Sequence, residues 1–409
     1  MNGRIRSFVR RIRNKSPRQL AQYAAARLFE ATKADERGFP LLSQDVADST
    51  RLSAPRLTPQ QPNARPRIAW VTHPPSPGSG GHTTLFRMVA AAAASGYDNT
   101  LLLYNRHAGD IRDHAEVIRH AWPWLDAAVE EAPAAIRGYD ALVASSWSTA
   151  HVIASRASEG RRLYFIQDYE PFFSPRGSEY AYAEDSYRLG FRNLALGGMV
   201  HALLRDELGV GSDLIPFGAD TSAYVFAGES GQRRGVGWYA RRRNDRRGYD
   251  HAVRALTLFH RQCPAEPIHI YGDVIGDTPF PAVNHGSLSP VELNALYNSV
   301  VAGLALSFTN VSLVPEEMLA AGAIPVVNED RYARMVLDNP HAVWARATPG
   351  ALADALAAVI GRPDRDSRAA TAAASVAGRS WAAAGAAVLR AIAEEIGPAP
   401  AERRADHAM

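Results

Sequence analysis

The sequence predicts an α/β protein of two tandem domains, each a parallel sheet with crossover helices. Three observations carry that prediction. A length of 409 residues is roughly two to three times that of a common single domain, enough for two separate cores. Short apolar runs alternate with helical or loop-like segments in two series, one starting at Arg67 and the other near Val236. The hydrophobic fraction of 46% and charged fraction of 21% are those of an ordinary globular chain. They exclude a wholly disordered, collagenous or coiled-coil protein.

In chain order, residues 1–66 read as a basic helical extension and linker. Residues 1–33 carry nine Lys and Arg against one acid, Glu30. Ile5, Phe8, Val9 and Ile12 recur at helical spacing among Arg4, Arg6, Arg10, Arg11 and Arg13. A short basic amphipathic helix of this kind suits an anionic membrane face, and equally a solvated helix packed on the body. Residues 34–66, rich in Pro, Ser and Gln, read as a linker or surface strap.

The first domain spans 67–215. Arg67-Ile-Ala-Trp-Val71 is an apolar strand that runs through a Pro/Gly loop into a helix from about His82 to Ser95. Leu101–Tyr104, Ala141–Ser145 and Leu163–Ile166 are further short apolar runs. The boundary falls in Ile215-Pro-Phe-Gly-Ala-Asp220. In the second domain, 216–378, Gly235–Ala240, Ile268–Tyr271, Val301–Leu306 and Ile324–Val327 read as buried strands. Helices are expected at Asp250–Arg261, Pro290–Asn298, Glu316–Ala321 and Pro349–Ile360. Residues 396–409, rich in Pro, Ala and charge, form a tail expected to fray.

Net charge is +3, with the excess at the N-terminus. The single cysteine, Cys263, excludes an internal disulfide or a thiolate-rich metal site. No apolar run reaches the roughly 18–20 residues of a bilayer span, and no signal peptide is visible, so a cytoplasmic protein is expected. No His/Asp/Glu cluster has metal-ligand spacing, so no metal is expected. Nucleic acid is not an expected partner, because no aromatic residues interleave the basic run.

Three segments are candidates for chemistry. Gly78-Ser-Gly-Gly-His-Thr83 joins a strand to a helix, and Gly80 and Gly81 let the backbone approach an anion at the helix N-terminus. It lacks the Walker and Gly-x-Gly-x-x-Gly spacings, and a plain tight turn is the alternative. Arg241-Arg-Arg-Asn-Asp-Arg-Arg247 puts five arginines at a strand end, which suits a diphosphate because each guanidinium can bridge two oxygens. Leu306–Val327 reads strand, polar loop, helix, strand. Glu316 and Glu317 open that helix, and adjacent helical positions diverge by about 100°. One of the two is expected to face a ligand and the other to be solvated.

Leu313-Val-Pro-Glu-Glu-Met-Leu-Ala-Ala-Gly-Ala-Ile-Pro-Val-Val327 resembles the nucleotide-sugar signature of retaining GT-B glycosyltransferases, family 4-like. Counted back from Gly322, Glu317 takes the place of the family's second glutamate, which holds the ribose hydroxyls. The first glutamate, which grips the donor sugar, falls on Thr309, where this sequence departs. Asn310 and Ser312 stand at the two signature glycines, whose N–H groups approach sugar and phosphates. Trp238–Arg241 with Arg246-Arg-Gly248 resembles the basic clamp on the donor diphosphate. Val283–Tyr297, with His285 and Gly286, resembles the base-side strand, turn and helix. Ser380-Trp381 resembles the start of the helix, residues 379–395, that returns to the first domain. Tyr164-Phe-Ile-Gln-Asp-Tyr-Glu-Pro171 with Gly177-Ser-Glu-Tyr180 is similar to bacterial surface-polysaccharide rhamnosyltransferases.

The resemblance covers about residues 67–395. It implies two Rossmann-like domains facing a central cleft, and metal-independent transfer of a sugar with retention. The donor it implies is a nucleoside diphosphate sugar, dTDP-L-rhamnose first. The acceptor would be a hydroxyl of a growing lipid-linked glycan, with residues 1–33 on an anionic membrane. Arg241 and Arg247 are then the expected diphosphate clamp, with Arg246 as substitute. Asp168, after a strand end, would orient or deprotonate the acceptor hydroxyl, and a helix cap or turn former is its alternative role. His82 would donate to a phosphate or sugar oxygen. Two other readings use the same fold. A nucleotide-sugar epimerase would interconvert donors without acceptor, and a non-catalytic partner would bind donor without transfer.

Overall fold

The computed structural model describes residues 39–58, 65–107, 109–228 and 233–398. Residues 1–33, the proposed membrane helix, and 399–409 of the tail lie outside them.

The first sheet has seven parallel strands: β1 Arg67–Thr72, β2 Asp98–Leu103, β3 Ala128–Glu131, β4 Ala141–Ala144, β5 Arg161–Ile166, β6 Arg192–Leu196 and β7 Asp213–Ile215. Their spatial order is β3-β2-β1-β4-β5-β6-β7. β1, β4 and β5 are near-continuous apolar runs because helices cover both faces. The second sheet comprises β8 Val236–Ala240, β9 Ile268–Gly272, β10 Val283–Gly286, β11 Ala302–Leu304, β12 Ile324–Asn328 and β13 Val343–Ala345, in the order β10-β9-β8-β11-β12-β13. Strand order reverses between β1 and β4 and between β8 and β11. Such switch points open crevices at the strands' carboxyl ends, where open α/β sheets hold ligands.

Two connections join the domains. One runs from β7 to β8. The other leads into the helix Trp381–Ile396, which lies on the helix Gly80–Ala94 of the first domain. Ala384, Val388 and Ile392 share a core with Leu85 and Val89. The packing is close: a Cβ on Gly385 would sit 3.1 Å from that of Ala91. The two crossings touch, since a Cβ on Gly218 would lie 2.7 Å from the Trp381 ring. Residues 39–58 cross the first domain as a strap. Buried Asp45 accepts from Arg156 Nε (2.7 Å) and Nη2 (2.8 Å) and from the Tyr104 hydroxyl (2.8 Å).

Several elements differ from the sequence reading. The first helix starts at Gly80 rather than His82, with Ser79 as its N-cap. The expected strand Val301–Leu306 shrinks to Ala302–Leu304, and by Ser307 the backbone N–H donates to the Asn328 side chain rather than to a ladder carbonyl. The helix expected at Glu316 begins two residues earlier, with Pro315 in its first turn where no N–H is needed. β7 and β13, three residues each, are too short to announce themselves by period.

Candidate active site

The loops after β1, β5, β8 and β11 meet where the two sheets face each other. On the second-domain side, Ser307 fixes the loop after β11. Its N–H donates to Asn328 Oδ1 and its carbonyl accepts from Asn328 Nδ2, both at 2.7 Å. Its hydroxyl donates to the Asn310 carbonyl (2.7 Å) and accepts from Arg247 Nη1 (2.7 Å). Burial pulls the Arg247 pKa down. Gly248 turns the chain at φ +60°, and a Cβ there would stand 2.6 Å from the Phe308 ring. That close approach lets the Arg246 carbonyl accept the Phe308 N–H at 2.9 Å.

Arg246 then reaches across the interface. Its Nη1 lies 3.2 Å from Asp168 Oδ2, and its guanidinium sits 3.7 Å from the centre of the Phe173 ring. Asp168 also accepts from the Thr309 hydroxyl (2.8 Å) and the Asn310 N–H (2.9 Å). Asn310 Nδ2 donates to the Gln167 carbonyl at 2.7 Å. One first-domain carboxylate, 8% exposed, thus gathers a hydroxyl, a backbone N–H and a guanidinium of the second domain.

Arg241 is engaged elsewhere: its Nε donates to the Tyr239 hydroxyl (2.8 Å) and its Nη1 faces Asp273 at 3.4 Å. His285 Nε2 lies 3.0 Å from His269 Nδ1 in a stacked pair on β10 and β9. Gly286 follows at φ +63°, where a Cβ would meet Val274 at 3.3 Å. Neither contacts the Asp168 cluster. Ser312 lies in the loop just before the helix Val314–Ala320.

The glutamates of that helix do diverge, but Glu316 is not solvated as the sequence suggested. It is 2% exposed and forms an ion pair with Arg379, from the segment leading into the last helix. Glu317 is partly accessible. Burial, with Asp220 adding to it and Arg87 opposing, pushes its carboxyl up to about 7. Arg87, from the helix Gly80–Ala94, donates to Asp220 at 2.5 Å and lies over the Trp381 ring.

On the first-domain side, Gly80 has open space where a Cβ would go, and Gly81 has only Gln167 Oε1 at 3.7 Å. The glycine loop therefore borders the crevice. His82 Nδ1 pairs with Ser79 Oγ (2.8 Å) and Nε2 with the His73 carbonyl (3.1 Å). Burial lowers its pKa, so the neutral ring donates from Nε2 to that carbonyl and accepts from Ser79 at Nδ1. Donation to a ligand requires giving up the bond to His73.

Sequence reasoning assigned no role to Arg87, His73 or Glu170. His73 Nε2 lies 2.7 Å from Ser148 Oγ, and burial drives its pKa down to about 4. Glu170 accepts the Trp147 N–H at 2.7 Å, at the N-terminus of the helix Trp147–Arg156, and the Tyr164 hydroxyl at 3.3 Å. Burial raises its pKa to about 8. The signal lay in the strand-end string Gln167–Glu170, which does not separate Glu170's role from that of Asp168. Among the described residues, no group of three or more His, Cys, Asp or Glu could hold a metal ion. No helix there is long and apolar enough to cross a membrane.

Residues 234–357 match the family described as "WsaF, C-terminal domain". The chain is 29% identical over 221 residues to the O-antigen biosynthesis protein RfbC of Myxococcus xanthus. That match spans 51% of this chain and 17% of RfbC, so the chain accounts for under a fifth of its relative's length. Among solved structures, a glycosyltransferase from Rickettsia africae superposes with TM-score 0.58 at 12% identity, covering 81% of this chain and 98% of that one. Anabaena HepE in complex with UDP superposes with TM-score 0.60 at 13% identity, covering 80% and 100%. The fold is therefore GT-B: two Rossmann-like domains facing a central cleft, with Asp168 and Arg246 on opposite walls.

Proposed function

We propose that this chain is a glycosyltransferase that moves a sugar from a nucleoside diphosphate donor to a hydroxyl of a bacterial surface glycan. The observation that carries the reading is the set of donors on the second-domain wall: Arg246, the Asn310 N–H and the Thr309 hydroxyl. Such donors stabilise a departing diphosphate electrostatically. In the transfer, the bond from the sugar's anomeric carbon to the diphosphate oxygen breaks and one to the acceptor oxygen forms. The acceptor proton leaves to a base or to the departing diphosphate. Glu317, at the N-terminal turn of its helix, would hold the ribose hydroxyls. HepE binding UDP in the same fold and the O-antigen role of RfbC support the donor class and the pathway class.

The finer reading is retention, without a metal, from dTDP-L-rhamnose onto a lipid-linked acceptor, with residues 1–33 on the inner membrane face. The motif around Gln167–Glu170 and the uncharged Thr309 favour dTDP-L-rhamnose as the donor. Thr309, in place of a glutamate, also supports a second reading, a non-catalytic partner that binds donor without transferring it.

A thermal-shift panel of dTDP-, UDP- and GDP-sugars on wild type and Glu317→Ala tests the proposal. A ligand specific to the folded state adds about 2.7 kcal/mol at 100 times its Kd. One nucleotide class should shift wild type, less so the variant, and incubation with acceptor then separates transfer from binding alone. No shift with any nucleotide sugar would sink the reading. Deleting residues 1–33 should weaken binding to anionic vesicles and leave donor binding intact. Unchanged vesicle binding would remove the membrane role.

A further inference from the structure

Three hydrogen-bond donors of the second domain converge on the Asp168 carboxylate of the first: Thr309 Oγ1 at 2.8 Å, the Asn310 N–H at 2.9 Å and Arg246 Nη1 at 3.2 Å. They form a cradle suited to a small oxyanion, combining a hydroxyl, a backbone N–H and a guanidinium. Contacts within the second domain preorganise it. Ser307 is pinned from both sides by Asn328, and its hydroxyl holds the Asn310 carbonyl. The Asn310 part of the cradle therefore holds its shape without Asp168, and within the second domain Arg246 Nε donates to Asn244 Oδ1 at 3.3 Å. Asp168 fills it as an anion would, supported by the bond from Asn310 Nδ2 to the neighbouring Gln167 carbonyl.

We propose that this cradle is the docking site for the donor's diphosphate, and that Asp168 is an internal anion that occupies it and latches the domains until the diphosphate displaces it. The inference rests on the nucleotide-sugar reading above and adds how that site is regulated. A diphosphate oxygen and the Asp168 carboxylate need the same three donors, so they exclude each other. Donor arrival thus exchanges one anion for another, breaks the cross-cleft bonds and frees the Asp168 carboxylate. The latch lowers apparent donor affinity by the fraction of molecules that hold it closed. A nine-to-one preference for the latched state costs about ten-fold in affinity.

The test titrates inorganic pyrophosphate and UDP by calorimetry into full-length wild type, Asp168→Ala and Asp168→Asn, each first shown to be folded by its thermal transition. Small-angle scattering of each protein without added anion follows the separation of the domains. Asp168→Ala should bind both probes about ten-fold tighter than wild type and scatter with a larger radius of gyration. Asp168→Asn keeps the side-chain shape but loses the charge facing Arg246, so it should shift both readings in the same direction by less. Pyrophosphate binding that is unchanged, weakened or undetectable in the folded variants overturns the latch. Tighter pyrophosphate binding with no preference for UDP keeps the latch and removes the nucleotide reading. Good UDP binding that weakens in both variants does the reverse.

Discussion

Arg87 and Asp220 form a 2.5 Å ion pair between the glycine-loop helix of the first domain and the chain segment leaving it for the second. The same guanidinium faces the Trp381 ring, so both interdomain crossings meet at one cation. Arg87 also opposes the burial that raises the Glu317 pKa. Arg87→Met should push the Glu317 carboxyl above its present value of about 7, leaving more of it neutral at pH 7. UDP binding should weaken several-fold at pH 7 and recover toward wild type near pH 9, as followed by calorimetry. Equal loss at both pH values would show that Arg87 does not act through Glu317.

Glu170 offers a cleaner titration. Its carboxyl rises from 4.5 to about 8 in the folded protein, so the unfolded chain releases this proton first. Wild-type stability from this group is fully present below pH 4.5 and is lost as pH rises through 8. Glu170→Gln mimics the protonated form and should match wild type near pH 5. Near pH 9 it should be more stable by on the order of 5 kcal/mol, read from urea midpoints at each pH. A gap that does not widen with pH would contradict the assignment.

The arginines should separate by position. Arg246 faces the cleft cluster, whereas Arg241 is tied to Tyr239 and Asp273. Arg246→Ala should weaken pyrophosphate binding by about 10- to 100-fold, the range of a lost charge-assisted bond. Arg241→Ala should lose under about five-fold by the same measure. The reverse order would relocate the diphosphate to the Arg241 side.

The contact between the crossings should be intolerant of added bulk. A Cβ on Gly218 falls 2.9 Å from the Trp381 backbone, which has no flexible end to yield. Gly218→Ala should cost about 1–3 kcal/mol by denaturant unfolding. A cost under about 0.5 kcal/mol would mean the crossings separate readily in solution.

The alternation of strands and helices was legible because parallel strands buried on both faces read as plain apolar runs, as in Ile68–Val71 and Leu163–Ile166. The three-residue β7 and β13 left too little pattern, and Ala128–Glu131 and Arg192–Leu196, whose polar residues interrupt the apolar run, escaped it as well. The site was legible only as loops. Asp168 stands out as a strand-end acid, but its partners Arg246, Thr309 and Asn310 lie 78, 141 and 142 residues away, beyond any spacing rule. The pairing of Glu316 with Arg379 was equally hidden, and it reversed the expectation of a solvated carboxylate. Glu170 owes its raised pKa to surroundings that only the folded chain assembles.

The strap over the first domain sets a limit on how this protein can be dissected. Arg156 spends its guanidinium on Asp45 and on the carbonyls of Ala132 and Pro133, and Asp45 is 1% exposed. A fragment begun at Arg67 would retain the whole seven-stranded sheet yet strand that cation without its counter-charge. Breaking a buried pair on one side costs about 3–5 kcal/mol. The smallest portable unit of this half therefore includes the segment from Phe39 onward, and chimeras that exchange first domains between relatives should be cut upstream of that residue.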